Sequence, residues 1–341
     1  MKKKRIVLWV GLIILAGWLA VYFGIIHPGY INWGATAEEI SRALPGDERA
    51  TVSGFRATRA ATIDAPSGKV WAWISQVGIG RGGFYSYDWL ENLFLSGIHN
   101  AFPNTPAWPE RAEGEFVRSF QFGAEKAGRN GWHYEIVEPG RSFFLNPLWG
   151  PFAAEPLGPS QTRLLVRSVG GTRGPVAAFL LGLFFDPIHF TMEKRMILSV
   201  KAAAEGRPPF SAPGTVVAFI GFALAAAAAA GVILTRKRMK IWILVPLLWT
   251  AAVLLFTRDI KSALVAFTAA SLIVAGFRLF GRRGWAFFLG FWIYALFVLI
   301  YAIDAFVVFG IMFLAATVSF AGAEAADRKK NRDAAVPPLR K

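Results

Sequence analysis

The chain reads as an α+β domain held between membrane-spanning α-helices, and three observations predict this. An uncharged run of 21 residues, Ile6 to Ile26, follows the opening Met-Lys-Lys-Lys-Arg. A polar stretch from about His27 to Pro213 comes next, in which alternating strand-like runs are interleaved with helical ones. Apolar runs then recur to about Phe320.

The first run is long enough to cross a hydrocarbon core of about 30 Å. Where a signal peptide would carry a small-residue cleavage site the chain has Trp18, Tyr22 and Phe23, so residues 1–32 are expected to form an uncleaved anchor. The later runs are Thr215 to Leu234, Ile241 to Phe256, Ala263 to Phe277 and Trp285 to Phe320. The last is too long for one span, and Asp304 near its middle is costly at bilayer depth, so it is read as two helices turning at Ala302 to Asp304. One N-terminal and five C-terminal spans result. Basic residues cluster at Lys2–Arg5, Arg236–Lys240, Arg278–Arg283 and Arg328–Lys341, and six spans with a cytoplasmic N-terminus put all four clusters on the cytoplasmic side. Five spans would put the basic tail outside. The expected organisation is an anchor at 1–32, a domain at 33–207, a linker at 208–214, a helical bundle at 215–321 and a basic cytoplasmic tail at 322–341. Both termini are expected in the cytoplasm and the domain outside a bacterial cytoplasmic membrane.

The formal charge of +15 divides unevenly. From His27 to Pro213 the net charge is +1, and the remainder lies in membrane flanks. Nucleic-acid binding would need a basic face on the domain, so no nucleic-acid partner is expected. The absence of cysteine excludes disulfides and thiolate chemistry. His27, His99, His133 and His189 lack metal-site spacing, and no phosphate loop, nucleophile elbow or dinucleotide fingerprint occurs, so neither a metal nor a cofactor is predicted.

Within the domain, Thr36-Ala-Glu-Glu39 is a capping box opening a helix that stops before Pro45 and Gly46. Phe55 to Asp64 alternates as a half-buried strand, broken only at Arg59 and Ala60. Asp64-Ala-Pro66 starts a helix whose Val70, Trp73, Ile74 and Val77 share a face. After the glycines of 78–83, Phe84 to Phe94 is predicted to form a second helix. Strand-like runs follow at Glu115 to Phe122, Gly131 to Val137, Ser142 to Leu148 and Thr162 to Val169. Asp186 to Glu205 is a closing helix, ended by Gly206 and two prolines. This order predicts a curved antiparallel sheet around the last helix.

The strings WGATAEEISRALPGDE (Trp33 to Glu48), TRAATIDAPSGKVWAWISQVG (Thr58 to Gly78), RGGFYSYDWLENLF (Arg81 to Phe94) with IHNA (Ile98 to Ala101), TRLLVRS (Thr162 to Ser168) and HFTMEKRMILSVKAAAE (His189 to Glu205) carry a family likeness. In that order they resemble the SRPBCC superfamily, the START-like, helix-grip group also called polyketide cyclase/dehydrase-like. The resemblance spans residues of about 33–206, half the chain. It implies a mostly apolar cavity between sheet and closing helix. The group includes lipid carriers, receptors, cyclases and hydrolases, so the resemblance implies a fold more specifically than an activity. The six spans depart from its soluble members.

The densest polar and aromatic cluster is Tyr85, Tyr87, Asp88, Trp89, Glu91 and Asn92, followed by His99 and Asn100. On a helix Tyr87 and Glu91 share a face, as do Asp88 and Asn92. Aromatic rings with a few polar groups suit a ligand pocket, although packing of helix against sheet is the ordinary role of such rings. His99 with Glu91 or Asp88 has the chemistry of an acid/base pair, and a structural histidine is the alternative. His189 and Met192 stand three residues apart on the closing helix, placed to face a cavity or the core. The uncharged AFLLGLFF of Ala178 to Phe185 is too short to span; it either dips into lipid or covers the sheet. Ala225 to Gly231 suits close helix packing.

The leading expectation is a membrane-tethered module binding a lipid or other apolar molecule, with no catalysis. The alternatives are a cyclase, dehydratase or hydrolase using the Tyr85–His99 region, and an accessory subunit meeting a membrane-protein partner through the C-terminal helices. The topology is directly testable. A reporter fused after Lys341 or within Arg236 to Lys240 is expected to read cytoplasmic and one inserted at Gly158 extracytoplasmic; a cytoplasmic signal at Gly158 contradicts the orientation.

Overall fold

A computed structural model of the chain describes residues 16–50, 54–101, 108–123, 130–147, 149–171, 174–209, 212–235 and 240–275, together with Trp9, Ile13 and Glu125. These fall into two compact units. One gathers the described residues up to Ser86 with Asn100–Ser119 and Gly123–Pro209; the other joins Tyr87–His99 and Phe120–Phe122 to the described residues from Ala212 on.

The first unit is α+β. A π-helical turn, Tyr22–Ile26, leads into α1 (His27–Ile31), and a short α2 (Ala37–Ser41) follows. The predicted capping box forms: Thr36 Oγ1 accepts from the Glu39 amide at 3.2 Å, and Glu39 Oε2 accepts from the Thr36 amide at 2.8 Å. Then come β1 (Gly54–Ile63) and α3 (Ser67–Ile74). A run of strands follows: β2 (Phe116–Arg118), β3 (Gly131–Glu138), β4 (Ser142–Asn146), β5 (Gly150–Gly158) and β6 (Gln161–Gly171). Two helices joined by a π-helical turn at Leu181–Phe185 complete the unit, α4 (Pro175–Leu180) and α5 (Asp186–Ala204).

The strands make one antiparallel sheet in the order β1-β6-β5-β4-β3-β2. The first and last strands are therefore neighbours, in register from Gly54 opposite Gly171 to Ile63 opposite Thr162. Because side chains alternate across a strand, this register puts Ala57, Arg59 and Ile63 on the same face as Leu164, Val166 and Ser168, the face that α5 covers. Thr58 and Ala60 share the opposite face with Arg163, Leu165 and Arg167.

Residues 33–49 cover that opposite face. Leu44 packs on Ala60 and Leu165. The fully buried Arg167 donates to Thr58 Oγ1 at 2.9 Å, to the Arg42 and Glu39 carbonyls at 3.0 and 2.6 Å, and to Asp47. Arg163 grips both carboxylate oxygens of Glu39 at 2.7 and 2.8 Å, and also the Gly34 carbonyl at 2.6 Å. Gly34 has φ +73°, and a Cβ there would lie 2.2 Å from the Ala60 carbonyl oxygen, so only glycine lets the segment lie this close.

Three local departures from the sequence expectations have physical reasons. The break at Arg59 and Ala60 is not an irregularity of β1: Arg59 is a buried charge on the inner face, and Ala60 is an apolar contact under the strap formed by residues 33–49. Strand β5 was not predicted, because Pro151 and Pro156 read as breakers; its Phe152-Ala-Ala154 centre nevertheless pairs with β6. The second helix is shorter than Phe84 to Phe94, since Tyr85 has φ +53° and Leu95 φ +62°. It spans only Asp88–Asn92.

That short helix belongs to the second unit, with α6 (Ala212–Thr235), α7 (Leu244–Thr257) and α8 (Ile260–Ala275). Asn92 ties the loop after its own helix: its Oδ1 accepts from the Ile98 amide at 2.9 Å and the Ser96 hydroxyl at 3.1 Å, while its Nδ2 donates to the Ile98 carbonyl at 2.8 Å. Leu93 and Leu95 pack with Val253, Ala263 and Ala266, and Trp249 Nε1 donates to the Leu93 carbonyl at 3.2 Å. The chain turns from α7 to α8 at Arg258, φ +54°, and Asp259 Oδ2 accepts from the Ser262 amide at 3.2 Å.

The described helices occupy three of the expected C-terminal runs. Among the described residues no single helix is long and apolar enough to cross a membrane; one of the shorter apolar helices, Ile241–Thr257, has 17 residues. At 1.5 Å per residue it spans about 26 Å, short of a hydrocarbon core of about 30 Å. The expected spans from Trp285 to Phe320, the turn at Asp304 and the basic tail lie outside the described residues, as do most of residues 1–15.

The strap predicts an acid dependence. Arg163 holds the Glu39 carboxyl down to about 2, from an ordinary 4.5, and the Thr36 amide adds to this. A carboxyl depressed on folding contributes stability that is complete above its unfolded pKa and lost as pH falls through the folded one. Glu39→Gln is therefore expected to lower the thermal midpoint at pH 7 and to flatten its decline between about pH 4.5 and 2. Parallel melting curves for the two proteins over that window would refute the assignment.

Candidate functional site

Two features of the first unit meet between sheet and closing helix: an apolar interior and a buried polar clasp. The interior is lined by Ile74 and Val77 at the end of α3, Tyr85 from the following loop, Phe152, Leu164 and Val166 of the sheet, and Met196, Ile197 and Val200 of α5. The space between these side chains lacks the width for a water molecule. The lining surface is apolar. Burial pushes the Tyr85 phenol well above the ordinary tyrosine range, so it is un-ionised at neutral pH. Its ring meets Trp73 edge-on at 5.6 Å.

The clasp is centred on Arg59 and Glu193, whose side chains are 0% and 2% exposed and which form an ion pair. Strand β1 supplies Arg59 and helix α5 supplies Glu193. Glu193 Oε2 takes the guanidinium, and Oε1 accepts from Ser168 Oγ at 2.7 Å and Trp149 Nε1 at 3.2 Å. Arg59 Nε donates to the Tyr30 carbonyl at 3.1 Å, and the guanidinium lies over the Phe190 ring at 5.2 Å. Burial alone would raise the Glu193 carboxyl; Arg59, His189 and Ser168 more than offset this and hold it below the ordinary value. His189 Nδ1 lies 3.4 Å from Arg59 Nη1, and burial followed by the Arg59 charge lowers its pKa against the pull of Glu193. The ion pair and its donors hold the closing helix to the sheet.

The candidate cluster divides between the two units. In the first, Tyr85 reaches the interior. Met192 accepts the Ser86 hydroxyl at its carbonyl, 2.8 Å, and Asn100 Nδ2 donates to the Ser86 carbonyl at 2.8 Å. His189 sits at the clasp. In the second, Tyr87 and Trp89 meet edge to face at 5.9 Å, and Trp89 faces Phe222 of α6 at 6.3 Å. Asp88 accepts from the Trp89 amide at 2.8 Å. Burial raises both carboxyls; that of Glu91 reaches about 8, with Asp88 adding to the effect, and one Glu91 oxygen is buried without a hydrogen-bond partner among the described residues. His99 is exposed. It forms no hydrogen bond with Asp88 or Glu91.

Arg59, Glu193, Ser168 and Trp149 were absent from the sequence candidates. The broken alternation at Arg59 was the one visible signal, and its partner stands 134 residues away. Among the described residues no group of three or more metal-ligating side chains forms a metal site. Comparison with protein-family models and with curated proteins finds no match to this chain.

The clasp carries a quantitative expectation. Removing one partner leaves a buried unpaired charge, so Arg59→Met or Glu193→Gln is expected to cost about 3–5 kcal/mol. The double variant is expected to cost less than the two single losses combined. Strict additivity in chemical denaturation would show that the two groups do not act as a pair.

Proposed function

We propose that this protein is a membrane-tethered START-like module that takes up a lipid or other apolar molecule between its sheet and closing helix, at the outer face of a bacterial cytoplasmic membrane. The observation that carries the reading is the convergence of α3, the sheet and α5 on one enclosed apolar interior, in a topology where the last strand and helix return to the first strand. Such an arrangement is compatible with the helix-grip fold that the sequence strings resemble. The tether rests on the uncharged run from Ile6 to Ile26 and on the sorting of basic residues.

The closed interior sets a condition on binding. A ligand enters only if side chains such as Met196 and Phe152 move aside, so the empty and loaded states differ in how closely α5 approaches the sheet. Selectivity is then expected to be broad, because apolar walls reject shapes weakly.

Native mass spectrometry after gentle purification is expected to find a copurifying apolar molecule. Met196→Ala, which opens the interior at a cost of about 2–5 kcal/mol, is expected to gain more thermal stability from an added lipid panel than the parent does. Val166→Trp, which fills it, is expected to lose the molecule. If nothing copurifies and no lipid shifts the melting of either parent or Met196→Ala, the interior is a packed core and the binding reading fails.

A further inference from the structure

We propose that the helical arm 175–188 inserts into lipid, forming with the end of the N-terminal helix one apolar face seated in the outer leaflet. The inference rests on the membrane tether proposed above and adds a second point of contact. Pro175 to Phe185 contains no charged residue. Val176 is 70% exposed and Leu180 47%, and Phe179, Phe185 and Ile188 are exposed as well.

The arm lies beside the N-terminal helix. Phe23 and Phe179 are 5.3 Å apart, and a Cβ on Gly182 would meet the Phe23 ring at 3.0 Å, so glycine permits the approach. The polar contacts lie between the two helices: Tyr22 Oη donates to the Gly182 carbonyl at 2.7 Å, and His27 Nε2 pairs with Asp186 Oδ2 at 2.9 Å. What remains outside is apolar. A surface whose polar groups are satisfied internally while large apolar side chains point outward suits hydrocarbon and is unusual facing water.

Continuity identifies the occupant as lipid. The exposed Val21 and Ile25 belong to the same N-terminal helix, whose uncharged run from Ile6 to Ile26 is the chain's tether. The arm's geometry fits one leaflet. Its eleven uncharged residues rise about 16 Å, roughly half of a 30 Å core. A bend of 49° then separates Pro175–Leu183 from Asp186–Ala204, so the helix that closes the sheet departs from the arm's direction. Lys194 stands over the Trp33 ring at 5.5 Å beyond the arm, and these are residue types that settle at headgroup level.

The chain has no cysteine, which permits single spin labels in the full-length protein. Leu180→Cys, Val176→Cys, Ile13→Cys and Leu157→Cys are labelled in lipid nanodiscs, and collision with oxygen is compared with collision with a water-soluble nickel chelate. Labels at Leu180 and Val176 are expected to favour oxygen as the Ile13 label does, and the ratio is expected to reverse at Leu157, near the end of β5. If Ile13 favours oxygen while Leu180 and Val176 favour nickel, the tether stands and the inserted arm is refuted. If Ile13 also favours nickel, the tether itself fails and the arm with it. Shielding of Leu180 and Val176 from both reagents means that protein covers the face, and dipolar broadening that grows with protein density identifies that protein as a second copy. Either result overturns lipid insertion.

Discussion

A buried charge pair imposes the strictest demand on this structure. Isolating a guanidinium and a carboxylate from water costs several kcal/mol each, and their attraction recovers this only with good geometry and further hydrogen bonds. Arg59 and Glu193 meet the demand by drawing in Ser168 from β6, Trp149 from the approach to β5 and the Tyr30 carbonyl from α1. Each partner fixes an element. The placement of α5 on the sheet and of α1 against β1 follows from satisfying two charges. The arginines of β6 do the corresponding work on the opposite face, where Arg163 and Arg167 hold the strap against β1 and β6 by its carboxylates and carbonyls.

This arrangement separates stiffness from adaptability along α5. Near its start, Asp186, His189 and Glu193 make polar contacts of defined geometry. From Met196 to Val200 the helix meets the sheet through apolar contacts alone. Beyond Val200 the helix end is tied again, Lys201 donating to the Thr62 carbonyl at 2.5 Å and Glu205 accepting from the Asp64 amide at 2.9 Å. The apolar contacts around Met196, unbranched and adaptable, thus lie between two polar ties.

The second unit shows a different use of buried polarity. Asn92 saturates its amide on the 92–98 loop, which lets Leu93 and Leu95 be presented to α7 and α8. Glu91 beside it is held protonated near neutral pH by burial and the proximity of Asp88. A neutral acid is the cheaper state for a carboxyl with one oxygen cut off from solvent. The candidate cluster was dense in sequence because it serves two units at once, its first residue reaching one interior and the next several packing among helices from the far end of the chain.

Local signals in the sequence determined much of the architecture. The Thr36–Glu39 capping box, the helix after Pro66, the long closing helix and five of the six strands were readable because caps, prolines and periodicity act over a few residues. The α+β class followed from their order. Strand β5 was hidden by its prolines, which the sheet tolerates because Phe152 and its neighbours are held from both sides. The residues that hold the fold together were decided only by tertiary structure. An arginine in a strand and a glutamate in a helix 134 residues later are each unremarkable alone. Their energies depend on exclusion from water, and that exists only once sheet and helix have closed over them.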